Sequence, residues 1–376
     1  MCRTLRHLTF SLAATAAHFG ISASAFATAP ETKERIEVAF VLDTTGSMEG
    51  LIDGAKRKIW SIANAIVDVN PDADIRMALI GYRDVGDDYV IRSHDMTPDI
   101  QGLYSDLIQF ATDGGGDEPE AVNEALDAAV RKLRWSEGQD ARRIVFLVGD
   151  APPHMDYANG PKYSDITKDA REKGIIINAI QAGDSAETQE YWQKIAKLGK
   201  GRYIAIPQDG GQIQVVNSPY DRQIIDLQNR INQTVIPYGS LEIQEQVNAK
   251  MAARAESAAP VMVDNSRFYS KKTASKEIVT GGGDLLDDVR NHVRKLDDVK
   301  EDELPKDFQG KSKGELKSLV DARTAEREEL EADMAVLIRK RDEYVAKVAK
   351  EAPGMEGSGK GDSFDKKVTE ILKQQL

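Results

Sequence analysis

The chain has 376 residues, with 50 Lys and Arg against 62 Asp and Glu for a formal net charge of −12. An acidic balance of that size argues against nucleic acid or an anionic membrane as a general partner. The length allows one large domain with an appendage, or two domains, and the single cysteine, Cys2, excludes a disulfide framework and a Cys-based zinc site.

Arg3 and Arg6, a mostly apolar run over 8–21 and the small residues Ser24-Ala25-Phe26-Ala27 have the layout of a secretory signal peptide, with cleavage expected after Ala25 or Ala27. The apolar run is well short of the ~20 residues that a membrane span needs. Without residues 1–27 the chain keeps 48 basic and 62 acidic residues, about −14, and no cysteine for thiolate chemistry. A soluble exported protein, periplasmic or secreted, is expected.

From 32 to 236, short apolar runs alternate with amphipathic stretches. The runs 36–42, 77–82, 144–148, 175–180 and 203–206 read as strands, with 89–92 a more polar candidate for a sheet edge. Ala55, Ile59, Ile62 and Ile66 recur at helical spacing, as do Val122, Leu126, Ala129 and Leu133. Alternation of this kind predicts an α/β domain, a doubly wound, Rossmann-like and mainly parallel sheet with helices on both faces.

An α-helical C-terminal extension follows. Ser218-Pro219 reads as a helix start, with Ile224, Leu227, Ile231 and Val235 on one face. Residues 237–311 read as a helical and irregular extension broken at Pro237-Tyr238-Gly239 and Gly281-Gly282-Gly283. A long charged helix is expected over 312–350, opened by a capping box of Ser312 and Glu315. Leu330, Met334, Leu337, Tyr344 and Val348 step by 3 and 4 along it, the seam of a coiled coil, with Arg323 and Arg341 interrupting the seam. That helix reads either as an arm packed on its own domain or as an oligomer or partner contact. Residues 351–376 read as a glycine-rich linker and a short terminal helix.

The sharpest chemistry stands where the first apolar run stops. Asp43 is followed at alternate positions by Thr45 and Ser47. Buried parallel strands read as near-continuous apolar runs, and open α/β sheets place ligands beyond the carboxyl ends of such strands. The run 144–148 likewise leads to an acid, Asp150, and the loop Thr112-Asp113-Gly114-Gly115-Gly116-Asp117-Glu118-Pro119-Glu120 leads into a helix. Carboxylates and hydroxyls are hard oxygen donors suited to Mg²⁺, Mn²⁺ or Ca²⁺ and poorly suited to copper or zinc. Asp43 and Ser47 acting only as helix caps would leave Asp150 and the glycine loop unexplained.

Asp43-Thr44-Thr45-Gly46-Ser47 after a strand resembles the von Willebrand factor A domain, whose metal-ion-dependent adhesion site opens with Asp-x-Ser-x-Ser; Thr45 keeps the hydroxyl of the middle serine. The three loops, in the family's order, extend the resemblance over about 32–236. It implies a divalent cation at Asp43, Thr45, Ser47, a second-loop residue and Asp150, and an acidic side chain of a protein partner completing the coordination. Most members place a threonine in the second loop. Here Asp117-Glu118-Pro119-Glu120 is instead similar to the Asp-x-Pro-Glu of integrin β-subunit domains, which implies Glu120 as the ligand and Asp117 as a direct ligand or part of a flanking site, with Thr112 the alternative. Glu49-Gly50 stands where those domains carry an acidic pair, so the adjacent ion site is in doubt. Resemblance to exported bacterial proteins of this type points to a Gram-negative source.

Two enzyme readings compete. Asp43-Thr44-Thr45-Gly46 is similar to the Asp-Lys-Thr-Gly of phosphoryl-transfer enzymes, but the lysine is missing at Thr44 and no acid lies two residues beyond Asp43. A divalent-metal-dependent hydrolase would use the same ion with His154 as general base; alternatively His154 packs on Tyr157. The Tyr82-Arg83-Asp84 run lies at the same sheet edge, where Arg83 either meets a partner's acid or pairs internally. The expected function is partner binding without catalysis.

Overall fold

The computed structural model of the chain describes residues 34–116, 118–138, 140–210, 217–272, 280–351 and 364–376. The expected signal segment 1–27, Asp117 and the glycine-rich run 353–361 lie outside the described residues.

Among the described residues six strands build one sheet. They are β1 (Arg35–Asp43), β2 (Asp74–Tyr82), β3 (Ile91–Thr97), β4 (Ala141–Gly149), β5 (Ile175–Ala182) and β6 (Lys200–Ile206), in the order β3-β2-β1-β4-β5-β6. Every pairing is parallel except that of β3, which runs antiparallel along β2 at the edge. The polar edge candidate thus forms a strand slightly later than expected. Strand order reverses beside β1, between β2 and β4, and in open α/β sheets a ligand crevice forms at the carboxyl ends of such strands.

The apolar runs are continuous because both faces are covered. Ile36, Val38, Phe40 and Leu42 of β1 share one core with helices α1 (Glu49–Val69) and α2 (Ile100–Ile108). Ala39 and Val41 point the other way, into a core with α3 (Val122–Asp127), the π-helical turn Ala128–Lys132, α4 (Tyr163–Glu172) and α5 (Ala186–Leu198). The helical spacings read at 55–66 and 122–133 are the buried faces of α1 and of α3 with its π turn.

Six further α-helices are described, α6 (Asp221–Thr234), α7 (Leu241–Ala255), α8 (Ala259–Lys271), α9 (Leu285–Arg290), α10 (Lys313–Glu351) and α11 (Phe364–Gln375). Val261 and Phe268 of α8 and Val368, Ile371 and Leu372 of α11 belong to the same core as β1 and α1. Trp60 of α1 meets Tyr104, Phe268 and Tyr269 there, with ring centroids 5.6–5.9 Å apart. Of the two readings of α10, the arm packed on its own domain describes its buried stripe. Leu330, Met334 and Ile338 are buried against Ile224 and Ile231 of α6 and Val263 of α8, and Tyr344 is exposed. The chain's own α6 and α8 supply the apolar stripe that a second strand of a coiled coil would have offered. Arg341, inside the expected seam, reaches Asp221 at 3.0 Å, and Arg323 lies over the Phe308 ring. Among the described residues no helix is long and apolar enough to cross a membrane.

Candidate metal centre

Asp43 is the last residue of β1, set beside Tyr82 at the end of β2. Its carboxylate is fully buried, and Oδ1 accepts hydrogen bonds from Thr45 N at 2.9 Å and Thr45 Oγ1 at 2.6 Å. Oδ2 has no partner among the described residues. Ser47 Oγ stands 3.4 Å from Thr45 Oγ1. The turn Gly46–Met48 runs directly into α1, and neither Thr45 nor Ser47 caps it with its side chain. Capping therefore does not account for these hydroxyls.

The second loop is tied to the first by Gly46 N donating to Gly114 O at 3.3 Å and Asp113 N to Thr44 O at 3.2 Å. Gly115 has φ +74°, and a methyl there would lie 2.9 Å from Thr45 Cβ and 3.1 Å from Glu120 Oε1. Only glycine satisfies both the left-handed backbone and that approach. Glu120 is then locked to the third loop: its N–H donates to Pro152 O at 3.0 Å and its carbonyl accepts from His154 N at 3.2 Å. Glu120 is buried, and Oε2 has no partner among the described residues. In the third loop Asp150 Oδ2 accepts from Gln208 Nε2 at 2.6 Å, and the same amide reaches Ser47 O at 3.3 Å. Gly149, the residue before Asp150, leaves room for the Tyr82 hydroxyl and for Asp43, whose Cβ would stand 3.0 Å from an added methyl.

Burial first, and the charge of Asp150 second, push the Asp43 carboxyl up to about 7. Burial, then the charges of Asp43, Asp84, Asp87 and Asp150, push Glu120 up to about 9. Tyr82, beneath them, is raised well above the usual phenol range by burial and then by Asp43, Asp150 and Glu120. These groups crowd negative charge into one place with too few donors to satisfy it.

The structure thus gathers Asp43, Thr45, Ser47, Glu120 and Asp150 at one sheet edge, whereas Asp117 lies outside the described residues. Thr112 is half-buried and makes no hydrogen bond to the others. Among the described residues no group of three or more His, Cys, Asp or Glu forms a ready-made metal cage, and the oxygens here instead mix hydroxyls with carboxylates from three loops. That donor chemistry, with orphaned oxygens on Asp43 and Glu120, fits a hard divalent cation.

Three participants were not legible as site residues. Asp87 Oδ2 accepts from Asp84 N at 3.1 Å and Gly115 N at 3.2 Å, which couples the β2–β3 loop to the glycine loop. Its position just past a strand's carboxyl end was the available signal. Asp84 adds charge beside Glu120. Gln208 carried no signal, since its role depends on where β6 ends. Arg83 does not pair with Asp84 in the structure; it donates to Ala111 O at 2.7 Å and Thr44 O at 3.2 Å, holding the first loop. His154 stacks on Tyr157 with centroids 4.1 Å apart, its Nδ1 is 2.8 Å from Asp156 and its Nε2 is 3.2 Å from Asp84. Burial opposes its charge, but the Asp156 hydrogen bond and the Asp84 carboxylate raise it above the ordinary histidine value.

Residues 37–217 match the family model described as von Willebrand factor A domain. Over 125 residues the chain is 26% identical to the alpha-protein kinase vwkA of Dictyostelium discoideum, covering 32% of this chain and 19% of that protein. Over 119 residues it is 29% identical to a putative ariadne-like RING finger protein of Acanthamoeba polyphaga mimivirus, covering 32% of this chain and 11% of that protein. The chain therefore spans less than a fifth of either relative's length. Among solved structures, the SpRpn10 VWA domain is 15% identical with a TM-score of 0.36, covering 47% of this chain and 89% of that one. Proximal thread matrix protein 1 from the mussel byssus, with a zinc-occupied MIDAS motif, is 15% identical with a TM-score of 0.35, covering 47% and 43%.

Proposed function

Residues 37–217 form a von Willebrand factor A domain, and from that premise we propose that it binds a divalent cation and through it an acidic group of a protein partner. Asp43, Thr45, Ser47, Glu120 and Asp150 would hold the ion. The observation that carries this reading is the pair of buried carboxylate oxygens, Asp43 Oδ2 and Glu120 Oε2, that reach the site from different loops and make no hydrogen bond of normal geometry among the described residues, with the Tyr82 hydroxyl beside Asp43 offsetting part of its charge. Buried unpaired carboxylates cost several kcal/mol or stay protonated, and a cation held by these residues would remove that cost. Mg²⁺, or Mn²⁺ or Ca²⁺ in its place, takes six or more oxygen ligands and keeps water at some of them, so a position stays open to an oxygen from outside. The bound ion supplies Lewis acidity toward that oxygen.

We read the domain as a binding module rather than an enzyme. Both nitrogens of His154, the base a hydrolase would use, face carboxylates, and no observation favours hydrolysis. The layout of residues 1–27 supports export to the periplasm or beyond, where the partner would be met.

Calorimetric titration with Mg²⁺ and Mn²⁺ tests the site. Wild type is expected to bind one ion, and Asp43→Ala and Asp150→Ala to lose at least tenfold in affinity; no heat with wild type would sink the metal reading. Affinity capture from native extract with and without chelator tests the partner. Turnover in a phosphatase and esterase screen that disappears in Asp43→Ala would overturn the non-enzyme reading.

A further inference from the structure

We infer that Arg92 is a second anchor for the partner, which presents two acidic side chains three residues apart in an extended segment, one to the cation and one to this guanidinium. The inference rests on the cation reading above and specifies the partner's chemistry.

Arg92 is exposed on the edge strand β3, and its guanidinium carbon lies 4.5 Å from the centroid of the Tyr89 ring. Tyr89 is fixed to the metal loop, since its hydroxyl is 2.7 Å from Thr44 Oγ1, next to Asp43. Arg83 also lies over Tyr89, at 4.6 Å, but its N–H groups are committed to the carbonyls of Thr44 and Ala111. Arg92, in contrast, has no carboxylate or carbonyl partner among the described residues. A cation held in place by an aromatic ring keeps its hydrogen-bonding fork free for an incoming carboxylate.

Its surroundings make the free charge informative. Asp84, Asp87 and Asp88 occupy the loop between β2 and β3, so an acidic segment approaching this edge is repelled everywhere except at the ion and at Arg92. Spacing follows from the sheet. Asp43 pairs in register with Tyr82, and Tyr82 with Ile91, so two strand spacings of ~4.8 Å, about 10 Å, separate the metal strand from the strand of Arg92. A polyproline II segment rises ~3.1 Å per residue with three residues per turn. Acids at positions i and i+3 of such a segment therefore face the same side about 9 Å apart, close to the spacing of those two strands.

The test uses the full chain loaded with Mn²⁺ and three capped glycine-based peptides, with aspartates at positions one and four, at positions one and two, or at position one alone. The one-and-four peptide is expected to bind about tenfold tighter than the single-aspartate peptide, the increment of one charge-assisted contact. Arg92→Ala should remove that advantage, Arg92→Lys should keep part of it, and neither should change Mn²⁺ affinity or the melting temperature. An advantage that survives Arg92→Ala, or that the one-and-two peptide matches, overturns the inference while leaving the cation reading intact. Mn²⁺-loaded protein that binds none of the three peptides overturns both, and protein that fails to take up Mn²⁺ fails the underlying reading first.

Discussion

Asp43 and Glu120 share one pocket with Asp150, and without a counterion the folded chain holds the first two partly protonated, at about 7 and about 9. In the unfolded chain both ionise near the ordinary values of 3.8 and 4.5. The folded state therefore binds more protons across the interval between, and the slope of stability with pH is negative there. The contribution is fully present below the unfolded values and is lost as pH rises through the folded ones. A divalent cation competes with those same protons, so its effect grows in the opposite direction. In chelator, the melting temperature is expected to fall between pH 5.5 and 8.5, and saturating Mg²⁺ to restore more at 8.5 than at 5.5, at about 2 °C per kcal/mol for a chain this large. Glu120→Gln should flatten both trends. A Mg²⁺ shift as large at pH 5.5 as at 8.5 would contradict this coupling.

At the scale of elements, long apolar runs and the Ser312 helix start were legible; the start expected at Ser218-Pro219 falls later, at Asp221, with no side-chain cap, and charged helices were not legible. The strands β1, β2, β4 and β5 announce themselves because burial on both faces demands unbroken apolar sequence, while β6, an edge strand with only Ile206 buried, shows just the short run 203–206. Ser312 and Glu315 form the expected reciprocal cap, with Ser312 N and Oγ donating to Glu315 Oε2 at 2.8 and 2.7 Å and Glu315 N reaching back to Ser312 Oγ at 3.3 Å. Arg327 was illegible, because a charge within a highly charged helix reads as solvated. It is instead 1% exposed, donating to Thr234 Oγ1 at 2.7 Å, to Asp284, and to Asp287 Oδ1 at 3.2 Å. Its partners stand 93, 43 and 40 residues away in sequence, beyond any local pattern. Asp284 in turn accepts from Ile236 N and Leu286 N, so this group fastens α10 to the ends of α6 and α9. Burial pushes Asp284 up to about 6 even with Arg327 opposing it. Arg327→Met leaves the acids buried without their cation, a loss of about 3–5 kcal/mol. Because protonation relieves Asp284, denaturant melts should show a smaller loss at pH 4.5 than at pH 7.5; equal losses would mean that the buried charge is not the cause.

For the molecule as a whole, the end of the chain is part of the beginning of the fold. Val368, Ile371 and Leu372 of α11 are fully buried in the core that contains β1 and α1. Gln375 exchanges hydrogen bonds with Asn178 of β5, at 3.0 and 2.9 Å, and Asn178 also accepts from Arg202 N at 2.9 Å. A sequence reading that treats 364–376 as a short terminal helix finds the element but not its place, since amphipathicity tells that a face is covered and not by what. Three apolar side chains of this size contribute about 1.5–3 kcal/mol each on burial, as an upper estimate because the unfolded chain is itself partly compact. A chain ending at Glu351 would expose the groove along α1 and β6 that α11 fills. Its melting temperature is expected to fall on the order of 10 °C at about 2 °C per kcal/mol, with binding of an apolar dye in proportion. A synthetic peptide of residues 364–376 added in trans should reverse both effects, because the groove and the helix are each other's complement. A truncated chain that melts within a degree of the full chain would show that the sheet core closes without α11.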